Sequence, residues 1–305
     1  MNTKQHKKSR EFVTNWQLYI MVLPALVWLI FFAYKPMYGL IIAFKNYNFR
    51  QGIWGSEWVG FDHFERLFRS YWFPIILKNT LTVSFLGLLI SFPLPIIFAL
   101  FVNEVKNQRV RKIVQTVSYA PHFISVIVMC GMVILMLSPD GGIINTFLKM
   151  FGVEPIAFMQ KPKAFKWIYV LSTVWQNTGW SAIIYIAALS SVDPVLIEAA
   201  EIDGASRFQR MIHIYFPALV PTIVILLIMQ CGSIMNVGYE KAFALQNAAN
   251  LTGAEVISTY VYKIGLENRD FSFATAVGML NSVVNTIMLV TVNAIAKKVN
   301  HSGLW

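Results

Sequence analysis

The chain has 305 residues, of which 56% are apolar, 14% aromatic and 13% charged. Soluble globular proteins carry about 25% charged residues, so this composition excludes an ordinary soluble protein. The net charge of +10 does not indicate binding to nucleic acid, because basic loops beside membrane spans set topology and face anionic membrane lipid. The composition instead predicts an all-α integral membrane protein.

Six apolar blocks are long enough to cross the ~30 Å hydrocarbon core as helices. The predicted spans cover 18–44, 79–102, 118–137, 167–189, 218–237 and 273–296. Basic residues are shared almost equally between the two sides, so their number alone does not orient the chain. The tight basic groups at 4–10 and 106–112 adjoin span ends, where the positive-inside rule has most force. Both termini are therefore predicted to be cytoplasmic.

The predicted spans divide the chain into three parts. Residues 1–73 are interpreted as a cytoplasmic amino terminus, the first transmembrane helix and an aromatic outer loop. A five-span core follows over 74–300 and contains a cytoplasmic loop at 190–217, and residues 301–305 form a short cytoplasmic tail. Apolar residues at helical spacing within 255–266 predict an amphipathic helix on the outer surface.

No motif for catalysis or nucleotide binding occurs in the sequence. The pattern G-x-x-x-x-G-K-[ST], whose backbone amides cradle phosphates, is absent, and so are H-E-x-x-H, C-x-x-C and G-x-S-x-G. Cys130 and Cys231 each lie inside an apolar block, which favours buried thiols over a disulfide or a metal site. The spans also lack the charged ligands that an ion-coupled carrier needs. The chain is predicted to be neither an enzyme nor such a carrier, and to hold no cofactor of its own.

The most informative stretch lies between the fourth and fifth predicted spans. Asp193-Pro194 is a typical helix start, because the carboxylate caps free amides and proline is tolerated in the first turn. Gly204 then supplies a turn, or a close approach that a side chain would block. A second short helix is predicted to end where Pro217 opens the fifth span. These residues alone leave two interpretations open, an ordinary re-entry loop or a compact surface onto which a partner docks.

The spacing of residues in this stretch resembles the EAA loop of ABC importer permeases. The residues that carry the resemblance are Glu198-Ala199-Ala200, Asp203-Gly204-Ala205, Ile214 and Pro217. Phe216 replaces the leucine that usually precedes the proline, which is an apolar exchange. Other segments are similar to the oligosaccharide and polysaccharide branch of the carbohydrate-uptake permeases, namely Pro121-His122-Phe123-Ile124-Ser125, Asp140-Gly141-Gly142, Gly179-Trp180 with Ile184-Tyr185, and Gly303-Leu304-Trp305.

This resemblance implies a type I ABC importer permease fold with six transmembrane helices in a bacterial cell membrane. It implies as partners a second homologous permease, two ABC ATPase subunits that bind ATP and Mg, an extracytoplasmic substrate-binding protein or lipoprotein, and an oligosaccharide substrate. The residues that it assigns to ATPase coupling are Glu198 as a polar contact, Ala199 and Ala200 as a close-packing surface, Asp203, Gly204 as the turn, and Pro217 as the anchor to the fifth span.

Neutral polar and aromatic residues of the spans are candidates for the substrate pathway, because they can hydrogen-bond hydroxyl groups and stack on sugar faces. They are Trp175, Gln176, Asn177, Trp180, Tyr185, Asn236, Asn281 and Asn285. Neutral polar residues also hold helices together in lipid, at roughly 0.6 kcal/mol each, so both roles stay open. A permease for another solute would share the loop, and a free-standing channel or receptor is the more distant alternative.

Overall fold

The computed structural model describes residues 16–300 and 303–304 of the chain. The predicted basic group at 4–10, and residues 301, 302 and 305 of the predicted tail, lie outside the described residues. Most of the described chain is helical, as expected where lipid offers no partner to free backbone N–H and C=O groups. One antiparallel pair of short strands, β1 (Lys45–Asn46) and β2 (Glu57–Trp58), is also present.

Four of the described helices are each long and apolar enough to cross a membrane, and they cover Trp16–Phe44, Trp72–Asn103, Arg207–Cys231 and Phe271–Lys298. In chain order the helices are α1 (Trp16–Phe44), α2 (Gly52–Gly55), α3 (Asp62–Arg69), α4 (Trp72–Asn103), α5 (Gln108–Phe123), α6 (Val126–Met136), α7 (Ile143–Lys149), α8 (Pro162–Leu189), α9 (Pro194–Ile202), α10 (Arg207–Cys231), α11 (Tyr239–Leu245), α12 (Leu251–Ala254), α13 (Ile257–Tyr262) and α14 (Phe271–Asn300).

Two further candidate spans are helix pairs that turn sharply. Helices α5 and α6 meet at 100° and helices α8 and α9 at 81°, and counting each pair once brings the candidate spans of the described chain to the predicted six. The 28 residues of α8 are enough to cross a membrane by themselves, so the sharp turn places α9 outside the span. The sequence predicts the third span over 118–137, whereas the observed helix pair covers 108–136 and changes direction at 124–125. Ile124 and Ser125 are extended, and the Ser125 hydroxyl accepts a hydrogen bond from the amide of Val128. This cap starts α6 as a new helix in a new direction.

The fifth span begins earlier than predicted, and no separate short helix ends at Pro217. Helix α10 is continuous over Arg207–Cys231, whereas the sequence predicted a span over 218–237. A π-helical turn at Met211–Tyr215 precedes the proline. Proline removes one backbone donor, and a local change of helical pitch just before it accommodates the loss without ending the helix.

Apolar side chains pack the described helices in three clusters. One joins α4, α8 and α10 through Ala99, Ala182 and Leu219, all fully buried. Another lies where the predicted amphipathic helix, observed as α13, buries Tyr260 against Phe273 of α14. Helix α1, in contrast, has no buried residue before position 43, so the surface that it presents is free for lipid or another chain.

Gly179 in α8 is a point of close contact with α5, and it provides a test of how these two helices pack. A Cβ atom there would lie 2.2 Å from the carbonyl oxygen of Ser118 in α5. Gly179→Ala should therefore separate the helices and lower the melting temperature of the purified protein, followed by circular dichroism. Gly278→Ala is the matched control, since nothing lies within 4 Å of the added methyl group and alanine favours helix. Equal melting temperatures for the two variants would contradict the contact.

Candidate functional site

The segment 190–217, which the sequence predicts as a loop, is built from α9, a tight turn and the first turns of α10. The Asp193 carboxylate accepts a hydrogen bond of 2.9 Å from a backbone amide of the first turn and so starts α9. At the other end, the amide of Ala205 donates to the Ala200 carbonyl, and the amide of Gly204 donates to the Glu201 carbonyl. This Schellman arrangement satisfies carbonyl groups that the end of a helix otherwise leaves free.

Gly204 provides the backbone conformation of this turn. Its φ angle is +75°, in the left-handed region that costs other residues roughly 1–2 kcal/mol. An added Cβ atom would meet nothing within 4 Å. Glycine is therefore needed here for the backbone conformation of the turn, and not for close contact with a neighbouring segment. Immediately afterwards, Ser206 and Gln209 form a reciprocal capping box that starts α10. Local hydrogen bonds therefore fix both ends of the turn.

The residues predicted for ATPase coupling are accessible on this loop. Exposed residues are Glu198, Ala199, Asp203, Gly204 and Pro217, while Ala200 is half-buried. The loop also carries uncovered apolar side chains, among them Ile202, which is 86% exposed, and Phe208, which is 65% exposed. Apolar side chains grouped on a polar loop are typical of a surface that another protein covers.

Arg210 links this loop to the spans. Its guanidinium lies 2.9 Å from the carboxylate of Glu201 in α9 and 3.4 Å from that of Glu104, the residue after α4. The side chains of Arg210 and Glu104 are only 9% and 11% exposed, so solvent and salt screen this pair little. The sequence prediction counted Arg210 only among the basic loop residues and missed this cluster. The sequence feature that could have revealed this cluster is an arginine in the predicted loop, together with glutamates near the ends of two helices.

A cavity of about 850 Å³ lies between α4, α8 and α10. Its volume falls in the range of small-molecule sites, roughly 300–1,000 Å³. Most of its wall is apolar, and its hydrogen-bonding groups include Asn177, Gln230 and Asn236. No Asp, Glu, Lys or Arg among the described residues lines it. The cavity can therefore offer hydrogen bonds and aromatic faces to a ligand.

Half of the predicted pathway residues line this cavity, namely Asn177, Trp180, Tyr185 and Asn236. Trp175 and Gln176 lie on other faces of α8. The Trp175 side chain is 45% exposed, and the buried Gln176 amide donates to the Ile124 carbonyl at 3.0 Å. Gln176 therefore supports the bend between α5 and α6.

Asn281 and Asn285 of α14 stand behind the cavity wall. Both side-chain amides donate to the Asn236 oxygen, at 2.9 and 3.0 Å, and the Asn285 oxygen accepts from the amide of Met235 at 2.9 Å. The two residues thus hold Asn236 in place. The packing role is thus observed for Asn281 and Asn285, while a role in the substrate pathway stays a prediction.

His122 supports the other side of the cavity. Its Nδ1 atom is hydrogen-bonded to the Asn177 oxygen at 2.9 Å, and its ring is stacked on Trp180 with 4.4 Å between centroids. It therefore fixes two cavity residues at once. Cys130 and Cys231 are both buried, as the sequence predicted. Among the described residues, no group of His, Cys, Asp and Glu could hold a metal ion.

Comparison with known proteins decides the family. Residues 91–301 match the model of the binding-protein-dependent transport system inner membrane component. The chain belongs to this family. The permease is 42% identical to the polygalacturonan/rhamnogalacturonan transport system permease protein YteP of Bacillus subtilis (strain 168), over 99% of this chain and 95% of that protein.

Two solved structures resemble the permease closely. One is a bacterial ABC transporter involved in the import of the acidic polysaccharide alginate, with 40% identity and a TM-score of 0.88 over 96% of this chain and 99% of that chain. The other is a bacterial alginate ABC transporter in complex with an alginate pentasaccharide-bound periplasmic protein, with 40% identity and a TM-score of 0.88 over 97% of this chain and 99% of that chain. The predicted ABC importer permease fold is confirmed.

The Arg210 cluster can be tested by removing its cation. Arg210→Met leaves the Glu104 carboxylate, which is 11% exposed, without its partner, and should lower the free energy of unfolding by about 3 kcal/mol. Denaturant titration of the purified permease measures this change. Arg207→Met removes an exposed arginine from the same turn of α10 and should change stability by less than about 0.5 kcal/mol. Equal effects of the two substitutions would contradict the role of the ion pairs.

Proposed function

We propose that this permease is the membrane subunit of an ATP-driven importer that carries an oligosaccharide across the bacterial cell membrane. A second, homologous permease completes the translocation path, and two ABC ATPase subunits bind ATP and Mg and hydrolyse the nucleotide. An extracytoplasmic substrate-binding protein delivers the sugar. The observation that carries the proposal is that the exposed loop at 190–217 joins α8 and α10, two of the helices that form the cavity.

The loop is the proposed point at which the ATPases act. Its small side chains at Ala199 and Ala200 allow a partner to approach closely, and Ile202 and Phe208 offer apolar area. Arg210 connects α9 to the end of α4 through its two ion pairs. A displacement of α9 by the ATPases therefore reaches all three helices that line the cavity, and rigid-body movement switches the permease between inward-open and outward-open states.

The cavity wall supports an oligosaccharide as the substrate. Asn177 and Asn236 can hydrogen-bond sugar hydroxyls, and Trp180 and Tyr185 present aromatic rings for stacking. The relative named above for polygalacturonan and the solved alginate importers favour a carbohydrate over other solutes. A wall of dispersed neutral groups also suits transport, because binding must be weak enough for the sugar to leave.

Orientation follows from the loop and the basic groups. The segment at 106–112 lies at the start of α5, next to Glu104 and the Arg210 cluster. It therefore shares one side of the membrane with the 190–217 loop. We place this side in the cytoplasm, together with both termini, because the ATPases need ATP there.

Two alternatives remain distinct from this proposal. A permease for another solute would keep the loop and the fold, so stimulation of ATP hydrolysis by an oligosaccharide in the reconstituted complex separates the two. A free-standing channel or receptor conflicts with membership of a binding-protein-dependent transport family.

Docking of the ATPase can be tested at the turn of the loop. Gly204→Leu cannot adopt the positive φ angle without strain, whereas Gly204→Asn can, because asparagine visits the left-handed region. We expect Gly204→Leu to lose co-purification with the ATPase and sugar-stimulated ATP hydrolysis, and Gly204→Asn to keep a large part of both.

A second pair of variants tests the charge on the loop. Glu198→Lys should weaken ATPase association, while Glu154→Lys, at an exposed position between α7 and α8, should not. The assay is quantitative co-purification from membranes with equal amounts of inserted permease. Normal association of both Gly204→Leu and Glu198→Lys would exclude this loop as the docking site.

A further inference from the structure

Lys241 in α11 is a buried cation without an anionic partner. Its side chain belongs to a residue that is 7% exposed, and no ion pair of the described residues includes it. Its ammonium group donates a hydrogen bond to the Thr173 hydroxyl and lies 4.8 Å from the centre of the Tyr169 ring. Burial lowers the pKa of this ammonium to about 7, so its surroundings compensate the charge poorly.

The other buried charges of the described chain are better compensated. Arg210 has two carboxylates, Glu255 pairs with Lys263, and the Lys45 ammonium donates to three backbone carbonyls. A buried charge without an ionic partner is costly to keep in a protein interior. Among the buried charged residues of the described chain, Lys241 is therefore the one whose charge is least compensated.

Both groups that Lys241 contacts are part of the cavity wall. Tyr169 and Thr173 line the cavity on α8, so the ammonium lies directly behind the wall at that end. The Thr173 hydroxyl accepts from Lys241 and donates its own proton to the Tyr169 carbonyl at 2.7 Å. The remaining two ammonium protons have no hydrogen-bond partner among the described residues, so little of the ammonium charge is compensated and it can attract an anion across the wall.

We infer that Lys241, with Thr173, forms a subsite for the carboxylate of an acidic oligosaccharide, a chain that contains uronic acid residues. The inference rests on the proposed import function and narrows its substrate class. A carboxylate at the Thr173 end of the cavity is attracted by the Lys241 ammonium directly behind the wall, while the neutral polar and aromatic residues further along the wall hold the sugar rings. Lys241 thereby distinguishes acidic from neutral sugars.

The experiment is equilibrium binding to the purified permease–ATPase complex, without the binding protein, so that only sites on the complex are measured. The probes are radiolabelled trigalacturonate and its neutral methyl ester, with inorganic phosphate as a competitor. We expect wild type to bind trigalacturonate more tightly than the ester. Lys241→Met should weaken trigalacturonate binding about tenfold, because the attraction between the two charges is lost, and leave ester binding unchanged. Lys149→Met, at an exposed lysine of α7, is the matched control and should change neither.

The outcomes separate the inference from the proposed function. If wild type binds both sugars equally, or if Lys241→Met weakens both alike, the carboxylate subsite is wrong while oligosaccharide binding stands. The wild-type comparison decides this even if Lys241→Met does not fold. Displacement of trigalacturonate by millimolar phosphate would also overturn the inference, because the site would then take small anions. Binding of neither sugar would overturn the proposed substrate class together with the subsite.

Discussion

The ion pairs of Arg210 with Glu201 and Glu104 join the loop at 190–217 to α10 and to the end of α4. Glu201 belongs to α9, Arg210 to the first turn of α10, and Glu104 follows α4. Breaking one such contact leaves a charge of low exposure without a partner, which is more costly than the contact is favourable. The three elements are therefore constrained to move together. A force on α9 cannot be absorbed locally, and it reaches the helices that enclose the cavity.

The cavity itself depends on a different kind of contact. Its polar residues are neutral and are held from behind, Asn236 by two asparagines of α14 and Asn177 by His122. Such fixed neutral groups can bind hydroxyls without trapping a ligand. No charged residue of the described chain lines the wall, so the cavity lacks the kind of ligand that coupling ions use in carriers. Lys241, one side chain behind the wall, adds selectivity for charge without adding a tight site.

Much of this organisation could be predicted from the sequence, because hydrophobic block length and local capping signals are short-range properties. The Asp193-Pro194 helix start and the Gly204 turn are examples, each fixed by hydrogen bonds within a few residues. The bend at Ser125 could not be predicted, since it interrupts an apolar run where a straight span was equally plausible. The continuity of α10 through Pro217 depends on a π-helical turn, which has no sequence signature.

The functional site was less predictable for a related reason. Trp175 and Trp180 look equivalent in the sequence, but only the packing of α8 against α4 and α10 decides that Trp180 lines the cavity. Arg210 is important because its partner Glu104 lies far away in the chain, and Lys241 because no anionic partner among the described residues lies beside it. Long-range pairing of this kind is a property of the tertiary structure, and residue type alone does not reveal it.

The central claim is that the loop at 190–217 is the surface through which the ATPases drive the permease. Cys130 and Cys231 are buried, so an Ala199→Cys variant carries one accessible thiol among the described residues. The direct measurement is the rate of maleimide labelling at this thiol in membranes, with and without the ATPase subunits. We expect rapid labelling of this thiol in the permease alone, and strong protection of the thiol from maleimide in the complex. An unchanged labelling rate in a complex that still hydrolyses ATP would contradict the central claim.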